Sequence, residues 1–196
     1  ALAARGATVV AIDRDASAFD PVMADLGQGS QVQELDILKV EAVEDFVATA
    51  GHFDGLVFTP ATNVRKRIAA YTDEDLRRVL ELNLVASFTL LRCFASEMAD
   101  NGGGSIVGFS SIRAVTVEPG QGVYAASKAA LEMLLRTVAS EYGPAKVRAN
   151  AIRPGVVETA LTEKLRENEE WRAAYASKSA LGRWATPSEM AGAAVS

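Results

Sequence analysis

Ser105-Ile106-Val107-Gly108-Phe109, a helical stretch at 123–142, and then Val147-Arg148-Ala149-Asn150-Ala151-Ile152 together decide the fold class. The two short apolar runs are bounded by turn or charged residues and read as strands. Between them, apolar residues recur at spacings of three and four, as on one face of a helix. Strands apolar on both faces need cover on both sides, and parallel neighbours need a crossover long enough to hold a helix. Working outward, the same alternation repeats. Val32 to Leu35 and Gly55 to Phe58 read as strands, and stretches near 40–50 and 73–100 as helices, the latter on Leu76, Val79, Leu80 and Leu84. At the start, Ala1 to Arg5 reads as a last helical turn, Gly6 as its C-terminal glycine, and Ala7 to Ile12 as a strand. The expected fold class is therefore α/β with a doubly wound parallel sheet.

A chain of 196 residues that is 49% hydrophobic is long enough for one domain with a sizeable core, so 1–196 is read as a single unit. The net charge of -5 and the pI near 5.0 argue against a surface that tracks nucleic acid or anionic lipid. Cys93 and His52 are the sole residues of their kinds, which leaves no internal disulfide and a poor supply for metal sites or Ser-His-Asp catalysis. No metal is expected. No apolar run approaches the roughly 20 residues that span a bilayer, and residues 1–12 lack the regions of a signal peptide, so a cytoplasmic setting is expected. Segment 156–185 contains a charged helical stretch with Trp171 and Tyr175. It reads as a substrate lid, with a surface helix pair whose aromatics simply pack as the open alternative. Thr186-Pro187-Ser188-Glu189 then starts another helix.

Tyr124 and Lys128 stand four apart at the start of a helix, which puts both side chains on one face. Ser111 lies at the end of the strand Ser105 to Phe109, where ligands of open α/β sheets bind. Three polar groups should thus converge at one sheet edge. Phe109-Ser110-Ser111, Tyr124-Ala125-Ala126-Ser127-Lys128 and Asn150-Ala151-Ile152-Arg153-Pro154-Gly155, in this order and spacing, resemble the short-chain dehydrogenase/reductase family. Leu82-Asn83-Leu84 and Asp13 extend the resemblance over nearly the whole chain.

The resemblance implies a Rossmann-like, three-layer α/β/α enzyme that moves a hydride between a nicotinamide cofactor and an alcohol or ketone. Tyr124 would be the general acid/base. Lys128 would lower its phenol from the ordinary ~10 by roughly 1 to 3 units. Ser111 would hold the substrate oxygen, and Asn83 would hold a water in the proton relay. Cofactor contacts would come from Asp13, Arg14, Asp36, Ile37, Tyr124, Lys128, Pro154, Gly155, Val157 and Thr159. Asp13 would accept bonds from the adenosine ribose and repel a 2'-phosphate, favouring NAD over NADP, whereas Arg14 beside it could bind that phosphate. Ser111, Arg113 and Gln121 are the candidate substrate contacts. If Arg113 faces the pocket rather than solvent, which the sequence leaves open, it points to a small polar hydroxy or sugar acid, while Arg65-Lys66-Arg67 reads first as solvated loop charge.

Two departures stand beside the resemblance. The family's glycine-rich phosphate loop and its first and last strands find no counterpart, so the sheet should be interrupted at its centre and the chain is expected to be part of a longer polypeptide. Phe58-Thr59-Pro60-Ala61 replaces Asn-Asn-Ala-Gly beside the cofactor ribose, and its proline lacks a backbone donor. By resemblance a homodimer or homotetramer is expected, with Leu90, Leu91, Phe94, Leu134 and Leu135 as candidate apolar surface. An NADPH-dependent 3-oxoacyl thioester reductase and a non-catalytic dinucleotide-binding scaffold are the competing readings.

Overall fold

The computed structural model describes residues 1–195. Five strands, β1 (Val10–Asp13), β2 (Gln31–Glu34), β3 (Gly55–Phe58), β4 (Gly104–Phe109) and β5 (Val147–Ile152), are all paired in parallel. They form two sheets, β1-β2 and β3-β4-β5, so the expected interruption falls between β1 and β3. The register Gly104↔Val147 to Phe109↔Ile152 brings β4 and β5 to a common carboxyl end.

Helix α1 (Val40–Thr49) leads into β3. Helix α2 (Asp73–Leu80) continues through a π-helical stretch, Glu81–Ala86, into α3 (Ser87–Asp100). Its start is set locally. The Thr72 hydroxyl accepts from the Asp75 amide at 3.1 Å, the Asp75 carboxylate accepts from the Thr72 amide at 3.1 Å, and three acids occupy the first turn. Helix α4 (Gly122–Tyr142) is the crossover between β4 and β5; it gives way to Gly143-Pro144, whose proline has no N–H to continue the ladder.

The core lies between this three-stranded sheet and α1, α3 and α4, around Val43, Leu91, Phe94, Met98, Ile106, Leu131 and Leu135. Leu90, Leu91, Phe94 and Leu135 are thus buried within the chain and Leu134 packs against the same cluster, which corrects their assignment to an oligomer surface. Their four-residue spacing faces the sheet. The large apolar side chains left exposed on helices 73–100 and 122–142 are Leu76, Val85, Phe88 and Met133. Helix 73–100 also contains an 18-residue window of mean hydropathy 1.4, long and apolar enough to span a bilayer by composition, and half of that window is buried in this core.

Two further differences from expectation have local causes. β1 starts at Val10 rather than Ala7, because the Val9 amide donates to Ser30 Oγ at 3.0 Å instead of to a strand. Residues Ala16–Asp25 form 3-10 turns without helical apolar spacing, opened by Asp15, whose carboxylate accepts from Ser17 N at 3.0 Å. Segment 156–185 holds α5 (Glu163–Arg166) and α6 (Glu169–Ala176), and its two ends are joined by a bridge between Val157 and Ala185. Helix α7 (Pro187–Ala194) follows with the expected Thr186/Glu189 capping box.

Candidate active site

The carboxyl end of β4 continues its pairing one residue beyond the strand. Ser110 N donates to Ile152 O at 2.8 Å, and Ile112 N donates to Pro154 O at 3.0 Å. Ser111 is held between these bonds in extended backbone, its Oγ accepting from Arg113 N at 3.1 Å. Helix α4 starts beside it, which brings Tyr124 and Lys128 against the same strand end. Lys128 Nζ lies 5.9 Å from the Tyr124 ring centroid, and Ser111 stands close enough to the phenol to favour its charged form. Tyr124, Ser111 and Lys128 are all buried.

Burial controls the electrostatics. The Lys128 ammonium, only 2% exposed, is brought down to about 8 by loss of water, and Nζ donates to the Phe109 carbonyl at 2.7 Å. Burial pushes the Tyr124 phenol up; Ser111 and the positive charges of Arg113 and Arg65 act in the opposite direction. In the protein alone Arg113 and Arg65 supply charge that favours the phenolate, and Lys128 Nζ is turned to the Phe109 carbonyl.

Asn83 sits in the π-helical stretch with its amide fully engaged. Oδ1 accepts from Thr62 N at 2.8 Å, and Nδ2 donates to Thr62 O at 2.9 Å and Ser127 Oγ at 3.1 Å. It ties the loop after β3 to α2–α3 and α4, a use of the amide on irregular backbone that the sequence left open. Gln121 is buried and accepts from Asn63 Nδ2 at 3.1 Å. Arg113 pairs with Glu118.

A cavity of about 780 Å³ opens over these groups. Ser111, Tyr124, Lys128, Pro154, Gly155, Val157 and Thr159 line it, as do Thr59 and Ala61 of the divergent loop. It reaches into the gap between the sheets, where Val9 and Val57 line it, and to Met190 and Val195 near the chain's end. Asp13 ends β1 and Arg14 follows it, both exposed, and Asp36 and Ile37 follow β2, both half-buried. None of these four lines the cavity, nor do Asn83, Arg113 and Gln121. Asp13 Oδ1 accepts from Asp15 N at 3.1 Å and Asp36 Oδ1 from Leu38 N at 3.1 Å, so both carboxylates shape turns at the strand ends.

Two features were missed in the sequence. Glu132, one turn beyond Lys128, accepts from Ser110 Oγ at 2.7 Å and Arg153 Nε at 2.6 Å, bracing the Ser110–Ser111 corner against α4 and β5. Its four-residue spacing from Lys128 was the available signal. Glu118 gathers Arg65, Arg113, Lys178 and Tyr175, and no local pattern announces it because all of these but Arg113 come from distant segments. Among the described residues no cluster of His, Cys, Asp or Glu is arranged to hold a metal ion.

At the strand ends the cavity suits the nicotinamide part of a dinucleotide in chemistry: its walls are mainly apolar and its polar groups gather there. A family model described as enoyl-(acyl carrier protein) reductase matches residues 1–196. Galactitol 2-dehydrogenase (L-tagatose-forming) of Cereibacter sphaeroides is 33% identical over 100% of this chain and 79% of its own length. A gluconate 5-dehydrogenase from Burkholderia cenocepacia, solved with NADP and tartrate, superposes with a TM-score of 0.91 at 26% identity, covering 99% of this chain and 79% of that one. A 3-ketoacyl-(acyl-carrier-protein) reductase from Brucella melitensis, solved with NADH, gives 0.89 at 25% identity, covering 98% and 81%.

Proposed function

This chain belongs to the short-chain dehydrogenase/reductase family and is an NAD(P)-dependent oxidoreductase of CH–OH groups, and we propose that Ser111, Tyr124 and Lys128 are its reacting constellation. The observation that carries this reading is their convergence, from a strand end and one helix face, on one wall of the 780 Å³ cavity. The bound nicotinamide accepts or supplies the hydride. In the oxidative direction Tyr124 Oη takes the proton from the substrate hydroxyl; in the reductive direction it returns one to the carbonyl oxygen. Ser111 Oγ donates to that oxygen as charge develops, and donors fixed before the reaction act mainly on the transition state. Lys128 borders the Tyr124 ring, and Arg113 and Arg65 favour the phenolate. Asn83 keeps the loop after β3 in place beside α4.

Pro154, Gly155, Val157 and Thr159 would hold the nicotinamide end, and Asp13, Arg14, Asp36 and Ile37 the adenosine end. NAD is the preferred cofactor on this reading, since the Asp13 carboxylate would meet a 2'-phosphate with like charge. Binding of NADH and NADPH by wild type and Asp13→Ala tests this. The variant should gain affinity for NADPH over NADH by about tenfold, one unit charge at a partly solvated site. An unchanged ratio would remove Asp13 from cofactor choice.

The substrate we favour is a small polar hydroxy compound of the sugar-acid kind, supported by Arg65 and Arg113, whose charges act on Tyr124, and by Lys178, which joins them at Glu118. Turnover of D-gluconate and galactitol with either cofactor tests it. A 3-oxoacyl thioester is the second reading, favoured by the apolar loop residues Val115 and Val117, the latter 94% exposed. The segment 156–185 acts as a lid. The exposed Val85, Phe88 and Met133 suit contact between copies in a homodimer or homotetramer, and a monomer in sedimentation would contradict that. A cytoplasmic setting agrees with the single cysteine.

A further inference from the structure

Glu118 is an unusual carboxylate, because Arg65, Tyr175 and Lys178 from distant parts of the chain and Arg113 from its own loop all close on it. Oε1 accepts from Arg65 NH1 at 3.3 Å and from the Tyr175 hydroxyl. Oε2 pairs with Arg113 NH2 and lies 3.9 Å from Lys178 Nζ. The Tyr175 hydroxyl is itself bonded by Arg65 NH1 and NH2 at 3.3 and 3.2 Å. Lys178 Nζ and the Arg65 guanidinium carbon lie 4.7 and 5.9 Å from the Tyr175 ring centroid. Two guanidiniums, an ammonium and a phenol make a set that recognises a free carboxylate, and planar guanidinium donors suit one especially well. Three cations surround a single anion, so the cluster keeps positive charge even with Glu118 in place. It also borders the chemistry. Arg113 N bonds Ser111 Oγ at 3.1 Å, and the charges of Arg113 and Arg65 act on the Tyr124 phenol.

We propose that Arg65, Arg113, Tyr175 and Lys178 form the acid-recognition site of this enzyme and that Glu118 is its internal competitor, a carboxylate of the chain itself that an acidic substrate must exchange with. The inference rests on the reading of Tyr124 and Ser111 as the reacting pair and names the substrate class of that same site. It makes Glu118 a specificity residue. A neutral polyol has no charge to exchange and meets a cluster already satisfied. An acid gains the same four partners only by setting Glu118 free to solvent. Because Tyr175 and Lys178 belong to segment 156–185 while Arg65, Arg113 and Glu118 belong to the loops after β3 and β4, either carboxylate also clasps that segment to the body.

Glu118→Gln keeps the shape and removes the charge. Binding of D-gluconate and of galactitol to the full-length protein, with and without NADH, is measured by calorimetry for wild type and variant. The expected result is a Kd for D-gluconate about tenfold lower in the variant, as for removal of a like charge from an anion site, with the gluconate-to-galactitol affinity ratio rising by the same factor. Glu118→Asp, which keeps the charge on a shorter arm, should leave the ratio within about threefold of wild type and serves if the glutamine variant does not fold. An unchanged or weakened gluconate affinity in Glu118→Gln, a ratio that rises equally in Glu118→Asp, or no gluconate binding by any of the three would overturn the proposal. Should gluconate bind more tightly as expected while no acid or polyol is turned over, the recognition site stands and the catalytic reading falls.

Discussion

Tyr124 carries a phenol that burial pushes up and neighbouring charges draw down, and Lys128 carries an ammonium that burial brings to about 8. The lysine's shift has a thermodynamic consequence with a definite sign. A folded-state value below the ordinary 10.5 means that the unfolded chain binds more protons between the two values, so this group's contribution to stability rises as pH climbs from about 8 to 10.5. Below pH 8 the buried ammonium opposes folding by about 3 kcal/mol. Lys128→Met removes that penalty. Urea unfolding of both proteins should show the variant's advantage shrinking by about 2 kcal/mol between pH 7.5 and pH 10. Parallel pH profiles would mean that Lys128 is not buried as a charge. Among the reacting groups, position was legible in the sequence and electrostatic environment was not. The spacing of Ser111, Tyr124 and Lys128 fixed their shared edge. The arginines that face the phenol lie on other loops, and only the folded chain brings them there.

At the level of elements, the strand-helix alternation was readable because β3 and β4 are short apolar runs and the crossover helices keep their three-and-four spacing, whereas β2, Gln-Val-Gln-Glu, shows a single apolar residue. What was unreadable lacks periodicity. The 3-10 turns at Ala16–Asp25 and the π-helical stretch around Asn83 are held by particular side-chain bonds rather than by a repeating pattern. The apolar residues offered as an oligomer surface went wrong for a related reason. Spacing shows which residues share a helix face, and it cannot say whether the sheet or a second copy covers that face. The turn before β4 is legible and testable. Gly103 has φ +113°, and a Cβ there would lie 2.7 Å from the Lys146 carbonyl oxygen, whereas at Gly102, φ +100°, nothing lies within 4 Å. Gly103→Ala should cost about 3 kcal/mol, strain and clash together, and Gly102→Ala about 1 kcal/mol. Equal losses in chemical denaturation would show that the Lys146 backbone moves aside.

Across the whole molecule, one cavity joins the carboxyl ends of β3, β4 and β5 to the gap beside β1, and the reacting groups stand on its wall. The adenosine-end residues Asp13 and Asp36 lie at the ends of the separate two-stranded sheet, outside that wall. On the proposed reading, binding at the nicotinamide end and choice between cofactors would be served by different halves of the protein. Segment 156–185 is closed on itself by the Val157–Ala185 bridge and by Trp184 Nε1, which donates to Arg172 O at 2.9 Å, and its Tyr175 and Lys178 meet Arg65 and Glu118. The most direct measurement of the account is turnover of a sugar acid or polyol by Tyr124→Phe, with dinucleotide affinity measured alongside. The expected result is a loss of about a thousandfold in kcat, the usual worth of a positioned acid/base, with dinucleotide Kd changed by less than about threefold. Turnover retained within about tenfold of wild type would contradict it.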